Sequence, residues 1–126
     1  MTTRVGTSDR DEASGEPPPF HIEVVEGGTR PVLRLSGELD HGGATALTGA
    51  VDQLPPLTEG LALDLADVPF VDSSGLSALI HAIRRAGADG GTLTIRRPTP
   101  LLVRLLETTG VDVHLVIEPD QGQSET

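Results

Sequence analysis

The sequence of 126 residues contains no cysteine, no lysine and very few aromatic residues. Without cysteine, the chain has neither a disulfide framework nor a thiolate metal site, so its stability depends on packing. Without lysine, it has no GxxxxGK[ST] loop to cradle nucleotide phosphates. Its two aromatic residues, Phe20 and Phe70, are too few for a platform on which nucleic-acid bases would stack.

Long apolar runs and an excess of positive charge are also missing. No apolar run reaches the roughly 18 residues that a membrane-crossing helix needs, and the polar amino terminus lacks the apolar segment of a secretory signal. The formal net charge of -10 disfavours nucleic acid and anionic membranes as partners. We therefore predict a cytoplasmic protein without membrane insertion or nucleic-acid binding.

The two ends of the chain differ in composition from the middle. Residues 1–19 are rich in Ser, Thr, Gly, Pro and charged residues, and the last residues, EPDQGQSET, are similar. Such segments bury too little apolar surface to offset the entropy of ordering. We predict a disordered N-terminal tail over 1–19, one domain over 20–117, and a flexible C-terminal tail over 118–126.

Within the domain, the spacing of apolar residues alternates between the period of a strand and that of a helix. Apolar residues two apart predict strands at 20–26, 30–40, 60–72, 92–97 and 113–117. Helical stripes predict helices at 44–54 and after Asp72, and 99–110 has the Thr-Pro start and Gly end of a helix. This order indicates an α/β domain with a mixed sheet of about five strands, an N-terminal hairpin followed by parallel strands, and three to four helices.

The stretch PFVDSSGLSALI, residues 69–80, places an aspartate and two serines where a strand changes to a helix. Asp72, Ser73 or Ser74 could cap that helix, because an oxygen there accepts from a free N–H group, a contribution of about 1 kcal/mol. A nucleophilic serine would need a G-x-S-x-G turn, and Val71 stands where Ser73 would need the first glycine. We therefore predict that the protein is not an enzyme.

Ser73 could instead be a regulated surface residue. The N-terminus of a helix favours negative charge, because its free N–H groups and its dipole attract anions. The fold would therefore tolerate a phosphate on Ser73, although the phosphate adds about -1.5 to -2 charges beside Asp72. Such a modification would leave the domain folded and change what docks there.

Two motifs in this order resemble a known family. VDSSGLSAL, residues 71–79, and LSGELDHGGATAL, residues 35–47, resemble the STAS domain of bacterial anti-sigma factor antagonists. The resemblance extends over about 20–117, and LLVRLLETTGVD, residues 101–112, is similar to the family's third helix and the turn that follows. Either motif alone would be a weak signal.

The resemblance implies a partner switch. In this family an unphosphorylated antagonist binds an anti-sigma factor that is also a serine kinase, and so frees a sigma factor. The kinase then phosphorylates the antagonist, the complex dissociates, and a phosphatase resets the switch. Carried onto this chain, the phosphoacceptor is Ser73, and its surroundings are Asp40, Asp72, Ser74, Gly75 and Leu76. The chain would need no cofactor of its own, because ATP and metal belong to the kinase.

A different use of the same domain stays open. The chain could be a STAS module that acts as a non-switching subunit of a transporter complex or a signalling scaffold, with Ser73 serving only as a cap. In either case the low aromatic content implies an interface built from aliphatic side chains such as those of Leu76 and Leu79.

Overall fold

A computed structural model describes residues 3–5, 20–25 and 28–118. Over these ranges, six strands form one sheet in chain order: β1 Thr3–Val5, β2 His21–Val25, β3 Val32–Leu39, β4 Leu61–Val71, β5 Leu93–Arg96 and β6 Val116–Glu118. The helices of the same ranges are α1 His41–Asp52, α2 Ser73–Ala88, α3 Pro100–Thr109 and a 3-10 helix at Val111–His114. None of these helices is both long enough and apolar enough to cross a membrane.

The sheet is mixed, as the sequence predicts. The pairs β1–β2 and β2–β3 are antiparallel, and each later pair is parallel. The α/β class, the initial hairpin and the alternation of strands with helices are confirmed. Parallel strands follow the hairpin because each helix returns the chain to the start of the next strand.

One face of the sheet carries the core. Leu33, Leu63 and Ile95 stand in register on three neighbouring strands and are fully buried. The helices cover them with small and aliphatic residues, among them Leu47 of α1 and Leu79 of α2, both also fully buried. This even-spaced leucine pattern is the signal from which the strands are predicted.

The opposite face carries a row of alternating charges in register across five strands. Its members are Glu23, Arg34, Asp64, Arg96 and Glu118. Ion pairs join Arg34 to Glu23 at 3.4 Å and Arg96 to Glu118 at 3.0 Å. Charges of opposite sign directly across a sheet attract one another, so the row favours this strand register over a shifted one.

The edge of the sheet where β3 and β4 end positions the predicted site. Leu39 pairs with Val71 at these ends, and the Asp72 N–H donates to the Leu39 carbonyl oxygen at 3.3 Å. A helix begins directly after each strand. The sequence motifs around Asp40 and Asp72 are therefore neighbours in space, although 32 positions separate them in the chain.

The structure departs from the sequence predictions at both ends of the sheet. Residues 3–5 of the predicted tail form β1, which pairs with the open edge of β2, while 6–19 lie outside the described residues. The last strand begins at Val116 rather than at 113, because Val111 and Leu115 are buried one helical turn apart and Gly110 ends α3 at φ 80. Glu118, predicted to begin the C-terminal tail, pairs with Arg96 in β6.

Candidate functional site

The cap of α2 is Asp72. Its backbone is extended, with φ -107 and ψ -167, and its Oδ1 accepts a hydrogen bond from the Gly75 N–H at 3.0 Å. This satisfies one of the N–H groups that a helix leaves free in its first turn. Of the three residues that could cap this helix, the aspartate does so, which leaves the hydroxyl groups of both serines available.

Ser73 is the first residue of α2, and its side chain is exposed. Within the described ranges its hydroxyl makes no hydrogen bond. Ser74 is half-buried and lines the shallow groove between α1 and α2. The two serines thus present different surfaces, and Ser73 is the one that a second protein reaches more easily.

Close packing around position 75 explains why the motif has a glycine there. Its position is buried, and a Cβ there would overlap the carbonyl oxygen of Leu39 and lie 2.8 Å from the Leu39 Cγ. The first turn of α2 therefore packs directly on the end of β3. Leu76, one residue further, is half-buried and packs against the core, so it contributes to folding as well as to the surface near Ser73.

Asp40 caps α1 in the same way that Asp72 caps α2. Its Oδ1 accepts from the Gly43 N–H at 3.1 Å. A Cβ on Gly43 would lie 2.6 Å from the Glu38 carbonyl oxygen and 3.0 Å from the Phe20 ring, so the first turn of α1 is held against both. Asp40 thus lies at the same end of the sheet as Ser73, because Leu39 and Val71 pair in register.

The groove between α1 and α2 has a volume of about 440 Å³. Its lining combines hydroxyl and imidazole side chains with two alanines: His41, Ala44, Thr45, Thr48, Ser74, Ser77, Ala78 and His81. At its far end the His81 Nε2 lies 2.7 Å from the Asp52 Oδ1. The groove opens at the two capped helix starts and offers hydrogen-bond donors and acceptors beside Ser73.

A second groove, of about 550 Å³, lies between the end of β4 and α3 and is mainly apolar. Its residues are Pro69, Phe70, Val71, Thr99, Leu101, Leu102, Arg104, Leu105 and Thr108. The sequence predictions missed it, because Phe70 and Leu101 continue apolar patterns that also describe buried residues. The prediction that Leu79 contributes to an interface is wrong, since Leu79 is a fully buried core residue of α2.

Comparison with known proteins identifies the family. The family model described as "Mlab, STAS domain" matches residues 22–118. Over 82 residues the chain is 30% identical to the anti-sigma F factor antagonist of Paenibacillus polymyxa, covering 64% of this chain and 70% of that protein. Over 95 residues it is 28% identical to the anti-sigma-B factor antagonist of Bacillus subtilis, and the match covers 73% of this chain and 84% of that protein.

Solved structures agree with the sequence relatives. The crystal structure of an anti-sigma factor antagonist from Mycobacterium paratuberculosis matches with a TM-score of 0.72 and 25% sequence identity, covering 87% of this chain and 94% of that one. The resemblance that the motifs around Asp40 and Asp72 predict is thereby confirmed. The chain belongs to the STAS domain family.

Proposed function

We propose that this protein is an anti-sigma factor antagonist regulated by phosphorylation of Ser73. In its unmodified form it binds an anti-sigma factor that has serine kinase activity, and a sigma factor is released. Phosphorylation of Ser73 by that kinase ends the complex, and a phosphatase restores it. The observation that carries the proposal is the Ser73 hydroxyl on the first residue of α2. It is exposed and makes no hydrogen bond to the described residues, because Asp72 caps the helix.

The local structure tolerates a phosphate. Because Asp72 rather than Ser73 caps α2, modification of Ser73 removes no hydrogen bond that holds the helix. The N–H groups of the first turn and the positive end of the helix dipole favour an added negative group there. The domain therefore stays folded in both states, as a reversible switch requires.

The same phosphate opposes binding of a partner. It would stand next to Asp72, at the end of the sheet that also carries Asp40, in a protein whose formal net charge is already -10. A partner surface that fits a neutral hydroxyl loses contacts and meets new charge when the hydroxyl is replaced by phosphate. A loss of about 3 kcal/mol lowers affinity roughly a hundredfold, which suffices for an off switch.

The relatives support the choice of partner. Those reported above are named for antagonism of anti-sigma F and anti-sigma-B factors. A protein of the same family that has an aspartate and an exposed serine at the start of α2 is best understood in the same terms. On this proposal the chain performs no chemistry itself, since the kinase supplies the phosphoryl donor and its metal.

The test uses the purified kinase-type anti-sigma factors of the same organism with ATP. We expect phosphate on Ser73 by mass spectrometry, none on Ser73→Ala, and complex formation by Ser73→Ala that persists in ATP. Ser73→Asp should bind at least about tenfold more weakly with its fold intact. The matched control is Thr58→Asp, an exposed hydroxyl residue that precedes β4 at the opposite end of the strands and lines neither groove, which should bind as the wild type does.

Two outcomes would contradict the proposal. Equal binding by Ser73→Ala and Ser73→Asp would show that charge at this position does not control the complex. Stable binding to another protein that no kinase or phosphatase affects would favour the non-switching subunit instead.

A further inference from the structure

We propose that the apolar groove between the end of β4 and α3 binds an amphipathic helix of the kinase-type anti-sigma factor. Aliphatic side chains of that helix would fill the groove, and one of its carboxylates would pair with Arg104. This inference rests on the proposed function and adds to it the surface by which the kinase recognises this chain.

Two of the exposed large apolar side chains of the protein lie together in this groove. Four large apolar residues are exposed in the described part of the chain, and two of them, Phe70 at 47% and Leu101 at 68%, line this one groove. Leu105 and Val71, both half-buried, continue the apolar lining between them. Contiguous apolar surface of this kind is typical of a binding site rather than of ordinary solvent-facing surface.

Charge around the groove selects the kind of partner. Among the described residues that line it, Arg104 is the one charged residue, and its side chain is exposed. The protein as a whole carries a net charge of -10, so a groove to which the described residues contribute no carboxylate differs from the average surface. A partner segment that is apolar on one side and carries a carboxylate opposite Arg104 complements this lining.

The shape favours a helix over an extended strand. One wall is the end of β4, where Pro69 has no N–H to donate to an added strand, and the other wall is α3. Side chains rather than free backbone groups therefore provide the contacts. An amphipathic helix uses this mode, placing side chains at i, i+3, i+4 and i+7 into an apolar groove.

The position of the groove connects it with the phosphoacceptor. Pro69, Phe70 and Val71 lead directly into Asp72 and Ser73, so a helix in the groove lies beside the residue that the kinase modifies. A kinase that holds Ser73 in its active site has protein surface facing this groove. The groove would then supply affinity that does not depend on the hydroxyl, and Ser73 would supply the switch.

The test measures binding and Ser73 phosphorylation by the purified kinase-type anti-sigma factors of the same organism. Leu101→Ser and Arg104→Glu each change an exposed side chain, so we expect both variants to fold with Tm values close to that of the wild type. Each should weaken binding about tenfold and raise the KM for phosphorylation by a similar factor, with kcat retained. The matched control is Val113→Ser, a similarly exposed apolar residue outside the groove, with binding unchanged.

A charge reversal makes the test more specific. If Arg104 pairs with a carboxylate, an Asp or Glu to Arg substitution in the kinase should restore its binding to Arg104→Glu and weaken its binding to the wild type. Wild-type binding by both groove variants, with Ser73 still phosphorylated, would overturn this inference and leave the proposed function intact. No phosphorylation of wild-type Ser73 by any of these kinases would overturn both. Light scattering that shows a dimer lost in Leu101→Ser would assign the groove to a second copy of this chain.

Discussion

Asp40 and Asp72 occupy equivalent positions at the ends of two neighbouring parallel strands. Each follows one member of the register pair Leu39 and Val71, and each accepts a hydrogen bond from the N–H of a glycine three residues on. Two helices therefore begin side by side at one edge of the sheet. This arrangement places both sequence motifs around Ser73 and gives each aspartate a structural role besides any role in partner binding.

The two aspartates are expected to stabilise the fold by similar amounts. Asp40→Ala and Asp72→Ala should each lower the free energy of unfolding by about 1 kcal/mol, because each loses one N-cap bond. Asp40→Asn and Asp72→Asn should stay close to the wild type, since an asparagine oxygen caps as well. Urea denaturation measures this, and a loss well above about 2 kcal/mol in the alanine variants would show a larger structural role.

The asparagine variants also separate folding from partner recognition. They keep the cap and remove the charge, so weaker binding of the kinase-type anti-sigma factor by a stable Asp40→Asn protein would assign Asp40 to recognition. Unchanged binding and phosphorylation in that variant would limit Asp40 to its cap.

Gly75 should be far less tolerant of a side chain than another glycine of the same helix. A Cβ at Gly75 would overlap the Leu39 carbonyl oxygen, and backbone cannot shift without cost, so Gly75→Ala should lose about 1–3 kcal/mol of stability. At Gly87 a Cβ meets nothing within 4 Å, so Gly87→Ala should gain roughly 0.5–1 kcal/mol. Thermal unfolding of both variants measures the difference, and equal effects would contradict the close packing of α2 on β3.

Stability should depend on pH through Asp64, a nearly buried residue of β4. Burial by itself raises the pKa of Asp64, but hydrogen bonds from Arg97 at 2.6 Å and from the Ala66 N–H at 3.1 Å, with the charges of Arg97 and Arg34, outweigh it. The pKa therefore lies below its ordinary value of 3.8. The ionised carboxylate stabilises the fold above that value, and its contribution is lost as pH falls through the lower pKa of the folded state.

Replacing Asp64 should therefore lower stability at neutral pH and make stability depend less on pH in acid. We expect Asp64→Asn to lower the free energy of unfolding by about 1–3 kcal/mol at pH 7. The difference in this free energy between the variant and the wild type should become smaller below a pH of about 4. Urea denaturation from pH 7 to pH 3 gives both quantities, with Asp67→Asn as the exposed control in the same strand. A difference in the free energy of unfolding that stays constant from pH 7 to pH 3 would show that the ionised Asp64 carboxylate is not its cause.

Arg85 should contribute more to stability than the neighbouring Arg84. Its guanidinium donates to the carbonyl oxygens of Val51 at 2.7 Å and Leu54 at 2.8 Å, which ties the end of α1 to α2. Arg85→Ala should lower the free energy of unfolding by about 1.5–3 kcal/mol, because these acceptors lose a charged donor. Arg84→Ala, at an exposed position, should stay within about 0.5 kcal/mol, and a comparable loss there would contradict this assignment.

Local patterns in the sequence predict much of this fold. The alternating leucines of β3 and β4 and the stripes of the helices predict the elements, because burial on one face imposes the period of each. The Asp-Ser-Ser-Gly sequence predicts a capped helix at 72–75. The last strand is predicted three residues too early, because Val113 continues an apolar alternation and yet is 75% exposed in a 3-10 turn.

Contacts between distant segments are what the sequence leaves open. Pairing of 3–5 with β2 depends on an open strand edge, which no local composition signals. Leu79 and Leu101 are both leucines on helices, yet one is fully buried and the other is 68% exposed, because one faces the sheet and the other faces solvent beside β4. The grooves that α2 forms with α1 and that β4 forms with α3 follow from this packing.

By itself, the sequence determined the family, the strands β2 to β5, the three α-helices and the capped start of α2, since each depends on residues close together in the chain. Only the tertiary structure decided that Asp72, rather than Ser73 or Ser74, caps α2, why Gly75 must lack a side chain, and which apolar residues remain exposed near Ser73. Those properties depend on which strand ends lie side by side, because parallel pairing of β3 with β4 brings together groups from distant parts of the chain.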